Sequence, residues 1–492
     1  MKKMICFWMV LCITPLSAQI ISVKTYPVLS EQSLFSYPSK FHAMRGIEIA
    51  LGDEIREAFT NPASLTSITQ SVVVLSPRTS TWSYDRQSDF RSGSPYSSKT
   101  FDRMSASRLQ TQGALMFSTG GFGVAAIGDY QRLSSTSRTE NTSTGSTIPP
   151  REMSIQATNK PFQIGFGVLG LKTASTEVSF GAQLAYLDIK GVDGLQFLYP
   201  DATSLTVGGK VKDVRVGTMV QVAGMGRFEA FVGESSLHKP PTALYPAGQP
   251  PVINHDESRT SYMQLNFRML LSERFYIGFR ALANWKDIPQ LPNYPIAGIP
   301  RDPGEITAYN LGVGASWRTS PSTLLAVEYL VEPIETRTWV VAEQDRDLGN
   351  GKILRKGSHE QDNDYTFLNH IVRGGIEIAA EDWLVLRFGS QIRSYRYDYH
   401  NKNFIWNSEQ SRSPQTSWTE ILLAGSTSAR WGNLEFSYLI ESLQGRGLLE
   451  QQRGWFFRDA LNFDLLLVPN DWLTVRPVPV VSHQFTIQFY LL

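Results

Sequence analysis

The sequence predicts an all-β fold: a transmembrane antiparallel β-barrel, exported to the outer membrane, with a short N-terminal segment held in its lumen. Three observations predict it. Apolar and polar residues alternate in run after run from about residue 72 to the C-terminus. Connections between the runs are short, then long, then short again, which is the plan of a barrel with tight turns on one side of a membrane and long loops on the other. Past residue 18 no apolar run approaches the ~20 residues that a membrane helix needs. A chain that spans a bilayer without such a run does so as a closed barrel, where every backbone group finds a partner.

The composition agrees. The 492 residues carry a formal net charge of +1, which lacks the basic footprint of a nucleic-acid partner. Apolar residues make up 42% of the chain, an average typical of soluble proteins. A membrane barrel dilutes its own hydrophobicity in this way, because lipid-facing residues alternate with lumen-facing ones.

The chain opens on a secretory signal peptide, residues 1–18. Lys2 and Lys3 give it a basic start, and an apolar stretch runs to Leu16, too short for a membrane span. Leu16-Ser17-Ala18 is the small-residue exit, which puts cleavage near Ala18. Both cysteines, Cys6 and Cys12, fall inside this peptide. The mature chain is therefore expected to hold neither a disulfide nor a thiolate metal site.

Residues 19–70 do not alternate. Positions 44–51 and 55–59 are helix-prone and lead into the turn-forming Asn61-Pro62. Such a segment ahead of a large barrel is expected inside it, as a plug or hatch, which leaves 71–492 as the barrel.

The strands follow. Met263, Leu265, Phe267, Met269 and Leu271 share a face opposed by Tyr262, Gln264, Asn266 and Arg268. Tyr309, Leu311, Val313, Ala315 and Trp317 oppose Asn310, Gly312, Gly314 and Ser316. Leu434, Phe436, Tyr438 and Ile440 oppose Glu435, Ser437 and Glu441, and Phe485, Ile487, Phe489 and Leu491 oppose Gln484, Thr486 and Gln488. Tight turns fall at Gly120-Gly121, Gly224-Met225-Gly226, Glu273, Pro321, Asp382 and Gly432. Long polar or proline-rich connections are expected at 85–103, 134–152, 238–258, 287–304, 343–362 and 401–415. A soluble sandwich also alternates, but its strands are shorter and its connections have no reason to alternate in length. Aromatics near strand ends, such as Tyr309 and Trp317, suit the interfacial girdles of a membrane barrel.

Charge then gives the alternation a direction. Arg or Lys on the lipid face costs about 2–4 kcal/mol at mid-bilayer. Arg268, Arg280, Arg373, Arg387, Arg393, Glu377, Glu435 and Glu441 all oppose the apolar face and are expected to line the lumen as a salt-bridge ladder. The strand count is less constrained: the alternation allows roughly sixteen to eighteen. Segments 459–468, 471–476 and 483–491 read either as three strands or as one after a folded loop. Pro477 and Pro479 would remove ladder donors from a central strand. Gly165, Gly167 and Gly170, and Pro333 within 324–341, are places where pairing weakens.

The stretch from Ala43 to Leu65 carries a resemblance. Gly46, Ala50 and Asp53, followed by Asn61-Pro62-Ala63 directly before the first alternating strand, look like the hatch of the outer-membrane long-chain fatty acid and aromatic-hydrocarbon transporter superfamily, the FadL-like barrels, a group with related type IX secretion porin-like proteins. Ser64 stands where the superfamily pattern often has glycine. The resemblance implies about fourteen strands, an even number as in such barrels generally, and passage of hydrophobic molecules through a plugged lumen and out through a gap in the wall.

Motifs for catalysis are not found. None of the seven histidines has a serine partner at a supporting spacing or an i,i+4 metal-binding mate. Gly208-Gly209-Lys210 lacks the spacing and the following helix of a phosphate loop. Asp201, Asp256 and Asp345 are lone loop carboxylates. The expectation is a non-enzymatic protein with no cofactor and no metal, whose partners are outer-membrane lipid and a hydrophobic small molecule. Leu244, Tyr245, Leu291, Tyr294, Ile296 and Ile299 are candidates for an apolar landing surface in the long loops. A barrel that binds secretion partners and a general diffusion porin are the alternatives.

Overall fold

The computed structural model describes residues 37–90, 98–141, 151–192, 202–246, 252–288, 304–342, 344–349, 351–404, 408–410, 416–451 and 473–491. The expected signal peptide, Asp201, the segment 459–468 and the loop residues Leu291, Tyr294, Ile296 and Ile299 lie outside the described residues, as do the side chains of Leu244, Tyr245 and Asp256.

Strands pair antiparallel in chain order and close on themselves. They are β1 (Val72–Phe90), β2 (Ser98–Thr119), β3 (Phe122–Asn141), β4 (Arg151–Lys172), β5 (Thr176–Val192), β6 (Ala202–Val222), β7 (Gly226–Pro246), β8 (Val252–Ser272), β9 (Phe275–Ile288), β10 (Gly304–Ser320) and β11 (Thr323–Val341). After a small hairpin of β12 (Arg346–Asp347) and β13 (Ile353–Leu354) come β14 (His359–Glu381), β15 (Leu384–Asn403), the short β16 (Ser408–Gln410), β17 (Thr416–Trp431), β18 (Leu434–Gln451) and β19 (Leu473–Tyr490). β19 returns to β1, with Val72 opposite Tyr490, and leaves no edge.

The closed barrel has 16 long strands. This corrects the fourteen implied by the resemblance and falls at the low end of the count from alternation. Within the described residues the segments 471–476 and 483–491 join in one strand, β19, which carries both prolines where it has a single partner. Pro477 lies opposite Gly447 of β18, whereas pairing with β1 begins at Val480. A missing N–H is tolerated there because no second ladder needs it.

The strands are also longer than the alternation indicated, from 14 to 23 residues. More than half of the expected connections 85–103, 134–152 and 238–258 is strand: β1 runs to Phe90 and β2 starts at Ser98 inside 85–103. Above the lipid, outward positions have no reason to be apolar, so the hydrophobic period stops while backbone pairing continues. The lower half keeps the period. On β10, Tyr309 and Trp317 are both exposed on the outer face. At ~3.3 Å per residue and a tilt near 40°, they lie roughly 20 Å apart along the membrane normal, close to the height of an apolar band. Trp317, Trp383 and Trp431 sit exposed at the short-turn end, as interfacial aromatics do. The seven short turns share the end at which Val72 and Tyr490 meet.

Pairing answers the question of a weakened wall. At Gly165 and Gly167 it is continuous on both sides, with a register shift only at Gly170, between Leu169 and Leu171. At Pro333 the ladder to β14 is continuous, but the ladder to β10 passes from Ala308 opposite Ile334 to Leu311 opposite Val331. Proline has no N–H to give, so the break is local and one-sided.

Candidate functional site

Residues 37–71 lie within the ring of strands and form the protein's densest core. Met44, Phe59, Ala63 and Leu65 have no measurable exposure. Phe59, Leu65 and Ile68 pack with Val72, Val74, Ala114, Met116, Ala125 and Ile127 on β1 to β3. Met44, Ile47 and Leu51 pack with Leu324 and Ala326 on β11, and Ile49 packs with Leu330 and Ile371 on β11 and β14. The segment thus reaches opposite walls of the barrel.

Its local structure follows from a few residues. A 3-10 turn, His42–Met44, ends at Arg45 and Gly46, both with positive φ (61° and 67°). Glycine adopts that region without strain. The helix α1 (Glu54–Thr60) starts at Asp53, whose carboxylate accepts from the Arg56 N–H (3.4 Å) and from Ser39 Oγ (2.5 Å), the usual service of an N-cap. Burial pushes the Asp53 carboxyl up against the opposing pull of Lys40 and of these hydrogen bonds. Asn61 caps the next turn, a 3-10 helix Pro62–Ser67. Its Oδ1 accepts from Ala63 N–H (3.2 Å), and its Nδ2 donates to the Thr218 carbonyl on β6 (3.2 Å). Pro62 occupies the first helical position, where no N–H is required.

This explains Asn61-Pro62-Ala63 physically: one residue ties the segment to the wall, one fixes the turn, and one is small enough to be enclosed. The wall answers with glycine. A Cβ on Gly167 of β4 would sit 2.5 Å from the Pro62 carbonyl oxygen, and one on Gly389 of β15 would sit 2.5 Å from that of Ala43. Both glycines face inward, so backbone meets backbone where a side chain would stand.

Charged side chains pair at this interface. Arg268 donates to Glu57 (3.1 Å), and Arg280 pairs with Glu48. Arg373 donates to the Gly46 carbonyl (3.2 Å), to Glu328 (3.3 Å) and to Gln391 (3.0 Å). Glu441 takes Arg45 from the segment and Arg78 from β1, one on each oxygen. Others pair within the wall: Arg387 with Glu377 (2.7 Å), Arg393 with Glu332 (2.5 Å), and Glu435 accepts from Tyr490 (3.0 Å).

Sequence reasoning missed several equals. Glu328 Oε1 accepts the Glu48 and Ile49 backbone N–H groups, the latter at 2.5 Å. Arg227 bridges Glu57 (3.2 Å) and Glu229. On β6 and β8, Asp213, Arg215 and Tyr262 form a buried cluster in which Arg215 donates to Asp213 (2.7 Å) and to Tyr37 Oη (3.1 Å). Tyr37 also stacks on Phe59, centroids 6.0 Å apart. Asp213 and Arg215 flank the outward Val214, so the same alternation marks them as inward. Glu48 and Glu57 sit in the non-alternating segment, where no period assigns a partner.

Two small polar cavities border the segment. One, about 30 Å³, is lined by Glu48, Glu57, Arg227, Glu229, Arg268 and Arg280 among others. The other, also about 30 Å³, lies beside Lys40, His42 and Ser437. Each has the capacity of a water molecule or two. Among the described residues His42 Nδ1 has no hydrogen-bond partner. Burial, with Arg78, Arg56 and Arg45 nearby, holds its imidazole down at about 3 against the pull of Glu441. Glu48 is held at about 2: burial raises it, but Arg280 and Arg56 outweigh burial. Among the described residues no group of carboxylates and histidines is arranged to hold a metal ion, and Asp345 accepts the Lys356 backbone N–H (2.7 Å).

No protein-family model matches the sequence, and no curated protein matches it. The likeness is structural. The chain is similar in structure to FadL-like barrels. These include the Pseudomonas putida toluene transporter TodX (10% identity over 93% of this chain and 99% of that one, TM-score 0.42). A Pseudomonas aeruginosa FadL homologue (10% identity, 92% and 98%, TM-score 0.36) and the Ralstonia pickettii toluene transporter TbuX (12% identity, 94% and 100%, TM-score 0.34) are similar too.

Proposed function

We propose that this protein is an outer-membrane passage for hydrophobic small molecules, with residues 37–71 as the plug that closes it to water and ions. The observation that carries this reading is the seating of that segment: backbone against inward glycines, apolar side chains against opposite walls, and carboxylates and arginines paired across the interface. A diffusion pore has no use for such a seat. The resemblance of Gly46, Asp53 and Asn61-Pro62-Ala63 to the hatch of long-chain fatty acid and hydrocarbon transporters supports the substrate class. In this reading Arg268, Arg280, Arg373 and Glu441 hold the plug, and Arg387, Arg393, Glu377 and Glu435 stiffen the wall around it. Passage requires the plug to shift or the cargo to leave through the wall above it.

Two measurements test the reading. A strain lacking the protein is expected to take up long-chain fatty acids or aromatic hydrocarbons more slowly, and unchanged uptake across both classes argues against transport. Purified protein in a planar bilayer is expected to conduct ions poorly. High steady conductance would make it a general porin instead.

A further inference from the structure

The outer face of β3 to β6 carries a feature that passage through the lumen does not use. Its rows are in register. Val168 and Phe180 lie opposite one another, then Phe166 and Ala182, then Ile164 and Leu184, with Thr218, Val216 and Val214 continuing them on β6. Phe166, Leu184 and Val216 are each more than half exposed (53%, 58% and 52%), so this face is a sheet of apolar side chains offered to lipid chains. It ends abruptly. The next row is Phe162, Tyr186 and Lys212, and the one above is Lys160, Asp188 and Lys210. Arg132, opposite Thr158 on the same face, borders it on β3. All four cations are exposed.

The height of this row decides its meaning. Lys160 and Lys210 each stand twelve residues above the short-turn end of their strands, at Lys172 and Val222. At ~3.3 Å per residue and a tilt near 40°, that is roughly 30 Å along the normal, just beyond an apolar band ~25 Å tall. Lys212 and Arg132 stand ten residues above theirs, at Val222 and Phe122, where a long cationic side chain reaches up to the headgroups.

At two other described places near this level the cations come with carboxylates. Arg337 of β11 stands among Glu335, Glu305 and Asp364 (2.5, 3.8 and 3.6 Å), and Arg396 of β15 faces Asp398 (3.3 Å). The β3 to β6 patch sets four cations against one carboxylate, Asp188, with Glu234 opposite Val214 on the neighbouring β7. Lys160 and Lys210 flank Asp188 two strand spacings apart, roughly 10 Å between backbones, and with Lys212 one row below and Arg132 on β3 they leave the patch with a net positive charge.

We propose that this patch is a binding site for the phosphate-bearing headgroup of an outer-leaflet lipid, whose acyl chains lie on the apolar rows of β4 to β6 beneath it. The occupant is a lipid rather than free phosphate, because the cations directly crown a lipid-facing apolar surface. Among the described residues Arg337 and Arg396, each beside a carboxylate, are the contrast to this patch.

The test uses the full chain in nanodiscs of mixed phosphatidylcholine and phosphatidylglycerol, with the lipids that stay bound through detergent extraction counted by native mass spectrometry. The unsubstituted protein is expected to retain the anionic lipid over the zwitterionic one by fivefold or more, less so at high salt. A variant with R132Q, K160Q, K210Q and K212Q is expected to lose that preference, while one with R337Q and R396Q keeps it. Loss of the preference in both variants, or displacement of the lipid by millimolar inorganic phosphate, overturns the proposal. Should the fourfold variant not fold, the unsubstituted protein still decides: absence of any preference for the anionic lipid overturns it.

Discussion

At the scale of single residues, the seat of the plug is decided by atoms that are missing as much as by those present. Gly167 leaves room for the Pro62 carbonyl. Replacing it with valine puts two methyl groups where a backbone stands, and overpacking of this kind costs typically 1–3 kcal/mol. The barrel keeps its pairing, since Gly167 is bonded through its backbone to β3 and β5. Gly167→Val is therefore expected to fold and migrate as a barrel but to raise ion conductance in a planar bilayer. His42 gives a pH dependence of definite sign. Its imidazole takes a proton near 6.5 in the free chain and only near 3 when seated. Between those values the released segment binds more protons, so the seat weakens as pH falls. Glu48, held at about 2 from an ordinary 4.5, adds a loss in the same direction below pH 4.5. Asp53, raised by burial, works the other way. Conductance is expected to rise between pH 7 and pH 4.5, and His42→Gln, which takes up no proton, is expected to flatten that rise.

At the scale of elements, the ion pairs between plug and wall outrank those on the rim. Glu441 holds Arg45 and Arg78 in a site mostly out of water. Removing one partner of a buried pair leaves uncompensated charge and costs about 3–5 kcal/mol. An exposed pair such as Arg396 with Asp398 is worth about 0–1 kcal/mol. Glu441→Ala is expected to speed hydrogen exchange through residues 41–47 at least tenfold, and Arg396→Ala to leave it unchanged. Equal effects from the two substitutions would remove Glu441 as an anchor. The strands themselves were legible as far as their apolar halves reach. Above Tyr309 on β10, or beyond Pro77 on β1, the outward residues turn polar, and only backbone pairing carries the strand onward. Hydropathy cannot register a ladder whose outer face meets water.

At the scale of the whole molecule, closure and filling are linked. A ring of 16 strands encloses more space than inward side chains of ordinary size fill, and residues 37–71 take up the remainder at the short-turn end. Deleting residues 37–70 is expected to leave a heat-modifiable barrel that conducts steadily, with conductance several-fold above that of the intact chain. A deletion that conducts no better would mean that the wall or the loops, not the plug, close the passage.

The sequence by itself determined the class of fold and the direction of the faces. Each of these is a local period or a local preference: Leu311 and Val313 against Gly312 and Gly314, Arg268 against Phe267. It also determined that Asn61-Pro62 would make a turn. The tertiary structure alone decided the strand number, because Pro477 is tolerated only where β19 has one neighbour. It alone decided what the inward glycines are for. Gly167 reads in the sequence as a weak point in a strand, and in the folded chain it is a socket for Pro62, more than a hundred positions earlier. The pairing of Arg280 with Glu48 and of Arg45 with Glu441 is likewise long-range. A residue's period says which way it faces, and only closure of the barrel around the plug says what it meets.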